Sequence, residues 1–192
     1  MSFYKEIEKS VYTLKNGNVL LYPTDTIWGL GCDAFNMQAI KKIYKIKNRT
    51  FSKSMIVLVE SMDRLHQLVG LITNFTRKII IDNITKKNKP ITIVYDNVNK
   101  IAYNLLSINN TLAVRLTYDP FCICLIKNLD RPIISTSANL SGFYSPKSFY
   151  EINPFILNKI DYSVNFRRKK ISNYNSSSII KIVSGKVKIL RM

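Results

Sequence analysis

The chain has 192 residues, an apolar fraction of 46 % and a formal net charge of +17. That length and composition fit one globular domain, residues 1–192, with its own core. No apolar run approaches the length of a membrane span, and the charged start Met1-Ser2-Phe3-Tyr4-Lys5-Glu6-Ile7 has no signal-peptide core, so the expected compartment is the cytoplasm.

Residues 3–15 carry Phe3, Ile7, Val11 and Leu14 at helical spacing, and Asn16-Gly17 supplies the stop. Strand 18–22 follows and ends at Pro23, which cannot donate to a ladder. Residues 23–31, Pro-Thr-Asp-Thr-Ile-Trp-Gly-Leu-Gly, read as a polar loop with a glycine turn. There, glycine lets backbone approach a ligand closely or take positive φ. Asn36 caps a second helix through Ala39, Ile40 and Ile43. Lys47 to Ser54 reads as a polar, solvated loop, and Met55 to Val59 as a buried strand. Helices are expected over 61–71 and 73–82, and strands over 91–95 and 111–116. Asp119-Pro120 opens a helix, and Pro132 to Ser135 forms a short strand. The tail offers strands at 161–165, 178–183 and 186–190, the last two joined by Ser184-Gly185. Strands and helices mix without strict alternation. The expected fold is therefore one α/β domain with a twisted, mixed β-sheet and flanking helices.

The composition removes several kinds of chemistry. Cys32, Cys122 and Cys124 form no paired zinc pattern, and their odd number argues against a disulfide framework. His66 is the only histidine, so no second histidine is available for a metal site, and a Ser-His-Asp set would have to rest on this one residue, which reads as a surface or satisfied histidine in a helix. No Walker A sequence and no glycosidase-like carboxylate pair are present. The positive charge suits nucleic acid, ATP or another polyanion, but it is spread along the chain, as AT-rich codon usage also produces.

Three polar clusters follow apolar segments: Thr24, Asp25 and Thr26; Lys47, Arg49 and Lys53; and Ser135, Ser137, Asn139 and Ser141. Arg115 adds a cation between Val114 and Leu116. Such a charge must reach an edge, meet a carboxylate or bind an anion. Arginine forks onto two oxygens, lysine acts as a point charge, and serine and asparagine fix orientation. Such a set suits phosphate and carboxylate binding, with catalysis by positioning and electrostatics, as in nucleotidyl transfer.

In their order and spacing these motifs resemble the YrdC/TsaC family, the threonylcarbamoyl-AMP synthases of tRNA modification. The resemblance rests on Tyr22-Pro23-Thr24-Asp25-Thr26 with Gly29-Leu30-Gly31, Lys47-Asn48-Arg49 and Ala113-Val114-Arg115. It continues through Ser135-Thr136-Ser137-Ala138-Asn139-Leu140-Ser141-Gly142 with Ser145-Pro146, Ser177-Ser178-Ile179-Ile180, and the terminal Arg191. It implies a YrdC-like fold and synthesis of threonylcarbamoyl-AMP from L-threonine, bicarbonate or CO2, and ATP with Mg2+, releasing pyrophosphate. A partner transferase complex would then modify tRNA position 37.

By the family pattern Lys47, Arg49, Ser137 and Asn139 would be catalytic. ATP would meet Lys47, Arg49, Lys53, Thr111, Ser137, Ser145 and Ser178. Threonine would meet Thr26, Arg115 and Ser135, with Arg115 on its carboxylate, and no residue is expected to bind a metal directly. Trp28 stands where the family usually has Tyr, and Leu58 where long-form members often have His. The competing expectation is a non-catalytic module that binds double-stranded RNA or tRNA through its charge, with weak RNA binding possible beside catalysis too.

Overall fold

The computed structural model describes residues 2–51, 54–86, 88–99, 105–107, 109–173 and 176–192. Helix α1 (Phe3–Lys15) starts at Ser2, whose hydroxyl accepts from the Lys5 amide, and ends through Asn16 and Gly17, the latter at φ +71°. Strand β1 (Leu20–Tyr22) stops at Pro23, as expected. The next element departs from expectation: Gly29–Asp33 is not a glycine turn but strand β2, antiparallel to β1. Two glycines in five residues carry little strand propensity, which hides it. Gly29 and Gly31 take ordinary negative φ, and their use is close packing. A Cβ at Gly31 would lie 2.7 Å from the Tyr22 ring and 2.8 Å from the Ile134 carbonyl.

Asn36 caps α2 (Met37–Lys47) through its side chain, and the helix ends at Asn48 in the left-handed region. Then come β3 (Ile56–Val59), α3 (Met62–Val69), α4 (Asn74–Thr85), β4 (Ile91–Tyr95) and β5 (Leu112–Leu116). Asp119 caps α5 (Pro120–Leu129) by accepting from the Phe121 and Cys122 amides, with Pro120 in the first turn. Strand β6 (Ile133–Ser137) runs two residues beyond expectation. A 3-10 turn at Phe149–Glu151 and the short α6 (Pro154–Leu157) add to the expected elements, and Asn153 caps α6 with Pro154 in its first turn. The chain closes with β7 (Tyr162–Ser163), β8 (Ser178–Val183) and β9 (Lys186–Arg191). The β8–β9 hairpin turns through Ser184 and Gly185, both at positive φ.

The nine strands among the described residues form one mixed sheet in the order β7-β1-β2-β6-β3-β5-β4-β8-β9. The β1–β7, β3–β5 and β4–β8 pairs are parallel, and the others are antiparallel. Alternation divides the strands cleanly. One face carries Leu21, Leu30, Val57, Val59, Val114 and Ile134 into a core with α2, α3 and α4. The other carries Leu20, Tyr22, Leu58 and Ile133 against α1 and α5. Those two helices cover only part of that second face. Its remainder, around the ends of β2, β6, β5 and β8, is where the polar clusters converge.

Candidate active site

The uncovered part of the sheet forms a cavity of about 200 Å³. Strands β2, β3, β5, β6 and β8 contribute Gly29, Ile56 and Leu58, Arg115, Ser135 and Ser137, and Ile179. Thr24 and Thr26 supply one wall, and Arg49, Ser145, Ser177 and Arg191 supply others. Pro23 makes this possible by ending β1, so that the chain turns over the sheet before returning as β2.

The threonine loop is held by its own hydroxyls. Thr24 Oγ1 donates to the Ile27 carbonyl at 2.8 Å and accepts from the Thr26 amide at 3.0 Å. The two threonine hydroxyls lie 3.1 Å apart. Tyr22, fully buried beneath, donates its phenol to Ser135 Oγ at 2.8 Å. Burial, reinforced by the neighbouring Cys122, pushes the Tyr22 phenol well above its ordinary pKa, so it stays a neutral donor.

Three arginines reach the cavity. Arg115 is 4 % exposed, and donates to Asp25 Oδ1 at 2.8 Å and to Thr26 Oγ1 at 3.3 Å. Its Nε is buried with no acceptor among the described residues. Burial raises the Asp25 pKa, and Asp119 adds to the rise while Arg115 opposes it. Arg49 donates to the Ser54 carbonyl at 2.8 Å, and Arg191 to the Ser177 carbonyl at 2.8 Å. Burial lowers the Arg191 pKa, with further lowering from Arg115 and Arg49. Like charges concentrated this way are relieved by an anion.

The family model Sua5_yciO_yrdC, described as "Telomere recombination", matches residues 12–192. The chain belongs to this family. Among its relatives, the threonylcarbamoyl-AMP synthase of Pseudoalteromonas translucida is 31 % identical over 191 residues, covering 97 % of this chain and 98 % of that one. The threonylcarbamoyl-AMP synthase of Hydrogenovibrio crunogenus is 32 % identical over 136 residues, 71 % of this chain and 73 % of that one. The crystal structure of P. abyssi Sua5 complexed with L-threonine superposes with a TM-score of 0.79 at 25 % identity, covering 100 % of this chain and 54 % of that one. The chain thus spans about half the length of that Sua5. E. coli YciO shares the fold, with a TM-score of 0.77 at 18 % identity over 97 % of this chain and 88 % of that one. The fold is the YrdC-like α/β domain that the motifs implied.

Within this family frame, the cavity brings together Thr26, Arg49, Arg115, Ser135, Ser137 and Ser145. Trp28 and Leu58, two of the departures from the family pattern, line it as well. Four expected residues lie elsewhere. Lys47 is the last residue of α2 rather than a loop residue, and it is 1 % exposed. Its ammonium donates to the Ser137 carbonyl, and to the Asn139 carbonyl at 2.6 Å. Burial, helped by Arg49, lowers its pKa to about 7. Asn139 turns its amide to the Leu140 and Phe143 carbonyls and so shapes the loop after β6. Thr111 bonds Ser107 at 2.8 Å, beside an adjoining apolar cavity that shares Ser54 and Met55 with the first. Ser178 gives way to Ser177: along a strand, Ser177 and Ile179 share the cavity face and Ser178 points the other way. Lys53 lies outside the described residues. Arg191, the terminal arginine of the family resemblance, joins the site because β9 pairs with β8.

No helix among the described residues is long and apolar enough to cross a membrane. No three His, Cys, Asp or Glu side chains converge among them to hold a metal ion.

Proposed function

We propose that this chain makes threonylcarbamoyl-AMP from L-threonine, bicarbonate or CO2, and ATP, and releases pyrophosphate. The observation that carries this reading is the convergence of Arg49, Arg115 and Arg191 with the hydroxyls of Thr26, Ser135, Ser137 and Ser145 around one cavity. The names of the family relatives support it. The charge alone would also suit the RNA-binding alternative, but an arginine buried inside the sheet with a vacant N–H does not serve a solvated nucleic-acid surface.

The chemistry asks little of the side chains. Threonine's amine adds to CO2 and loses a proton, giving a carbamate. A carbamate oxygen then attacks the α-phosphorus of ATP, and the bond to the pyrophosphate leaving group breaks. Arg115 takes the threonine carboxylate, a reading supported by its place in the cavity lining and by an Nε that has no acceptor among the described residues. Thr26 and Ser135 flank that position. Arg49 and Arg191, with Ser137 and Ser145, take the phosphates and stabilise the charge that develops as pyrophosphate departs. Mg2+ enters as part of the nucleotide substrate, on its phosphates. The adjoining cavity, lined by Met37, Ile40, Tyr44, Phe51 and Leu106, is the place for the base. Lys47 and Asn139 set the backbone of the turn that leaves β6 after Ser137. The product is a reactive mixed anhydride and passes to a transferase acting on tRNA.

The test is pyrophosphate release measured with each substrate omitted in turn. Release that requires both threonine and bicarbonate is expected. Threonine-independent release of phosphate would overturn the reading.

A further inference from the structure

We propose that Asp25 is a positioning residue that holds the guanidinium of Arg115 in the orientation in which it meets the substrate carboxylate. The inference rests on the reading of Arg115 as threonine's carboxylate partner, and it adds a residue to which the family pattern gave no role.

Arg115 rises from an apolar strand on a long side chain with several rotatable bonds. Two of its nitrogens are anchored: Nη2 on Asp25 Oδ1 at 2.8 Å and Nη1 on Thr26 Oγ1 at 3.3 Å. Both members of the ion pair are buried, with side chains 5 % and 4 % exposed, so water does not compete for the contact. Among the described residues Nε is the nitrogen left without an acceptor. The anchoring therefore selects which edge of the guanidinium is vacant.

Asp25 does this from behind. Arg115 lines the first cavity, whereas Asp25 lines a second one on the other side of the Thr24–Trp28 loop and has no part in the first. A ligand beside Arg115 thus meets Asp25 only through Arg115. The neighbouring carboxylate does not share the task. Asp119 Oδ1 accepts from the Phe121 and Cys122 amides and Oδ2 from Arg167. The Thr24 hydroxyl fixes the backbone from which Asp25 projects, donating to the Ile27 carbonyl and accepting from the Thr26 amide.

The opposite reading is that Asp25 competes with substrate for the positive charge of Arg115. The two readings predict opposite signs for Asp25→Asn, which keeps the shape and removes the charge. Threonine and ATP affinities are measured by calorimetric titration of the full chain, beside a thermal melt. Positioning predicts threonine binding weaker by about tenfold and ATP binding within about twofold of the natural chain. It also predicts non-additivity: in an Arg115→Lys background the Asp25→Asn change adds little. Tighter threonine binding, equal weakening for both ligands, or full additivity overturns the proposal. If Asp25→Asn does not fold, Asp25→Glu decides, since it keeps the charge and moves it by one methylene. A shift confined to threonine supports positioning, and no shift or a shared shift overturns it. Failure of the natural chain to bind threonine at all would instead sink the reading of Arg115 itself.

Discussion

Two parts of one sheet face have opposite fates. Where α1 and α5 cover it, Leu20, Leu58 and Ile133 meet Ile7, Leu14, Phe121 and Leu125 in a sealed apolar layer. A few residues away on the same strands neither of those helices covers the sheet, and the face carries Ser135, Ser137 and Arg115. Strand β6 shows the change in three steps of its alternation: Ile133, Ser135, Ser137. Position 133 contributes to stability by burial, whereas 135 and 137 line an anion-seeking cavity. The contrast separates what holds the fold from what would do the chemistry, and substitutions should separate them too.

The largest effect is expected at Arg49. Arg49→Ala should lower turnover by about 10²–10³-fold, the scale for losing one donor to developing charge, while the melt stays close to that of the natural chain. Near-normal turnover would return Arg49 to the role of a surface cation. Arg115→Lys comes next. An ammonium cannot bind both carboxylate oxygens in one plane, so the threonine requirement should rise by about tenfold or more with the ATP requirement less affected. Parallel weakening of both ligands with a lower melting temperature would make Arg115 structural.

Leu125→Ala attacks the covered end. Leu125 is fully buried, and its truncation should cost about 2–5 kcal/mol in chemical denaturation. The folded fraction should bind threonine and ATP normally, and a selective loss of one ligand would break the separation drawn above. Gly31→Ala should cost about 1–3 kcal/mol by overpacking, because the new Cβ would sit 2.7 Å from the Tyr22 ring. A neutral result would show that β2 has room that this packing denies.

The smallest effect is a pH dependence at Lys47. Its folded pKa lies near 7, below the ordinary lysine value of 10.5. Between those values the unfolded chain still binds a proton that the folded chain has released, so stability rises with pH across that window. The stability of the natural chain relative to Lys47→Met should therefore increase from the lower end to the upper end. A flat difference would mean that the carbonyls of Ser137 and Asn139 keep the ammonium charged.

Elements with capping residues or strong periodicity were legible in the sequence: α1 from its apolar spacing and Asn16-Gly17, α2 from Asn36, α5 from Asp119-Pro120. Strand β2 was not, because its glycines serve close packing against Tyr22, a tertiary cause with no local signal. The cavity's residue types were legible as three polar clusters and an isolated arginine. Their aim was less so. Lys47 reads as a loop cation but ends a helix and points at carbonyls, because its neighbour Asn48 turns the chain only afterwards. Ser177 and Ser178 differ by one residue, which in a strand is the difference between two faces. Asp25 drew attention as a carboxylate among threonines, but only the fold brings it to Arg115, ninety positions away along the chain.

The most direct test of the central claim is to incubate the protein with ATP, L-threonine and carbon-13 bicarbonate and examine the products by mass spectrometry. The account predicts an adenylate that contains threonine and carries the label, formed together with pyrophosphate. ATP turnover without any labelled, threonine-containing adenylate would contradict it.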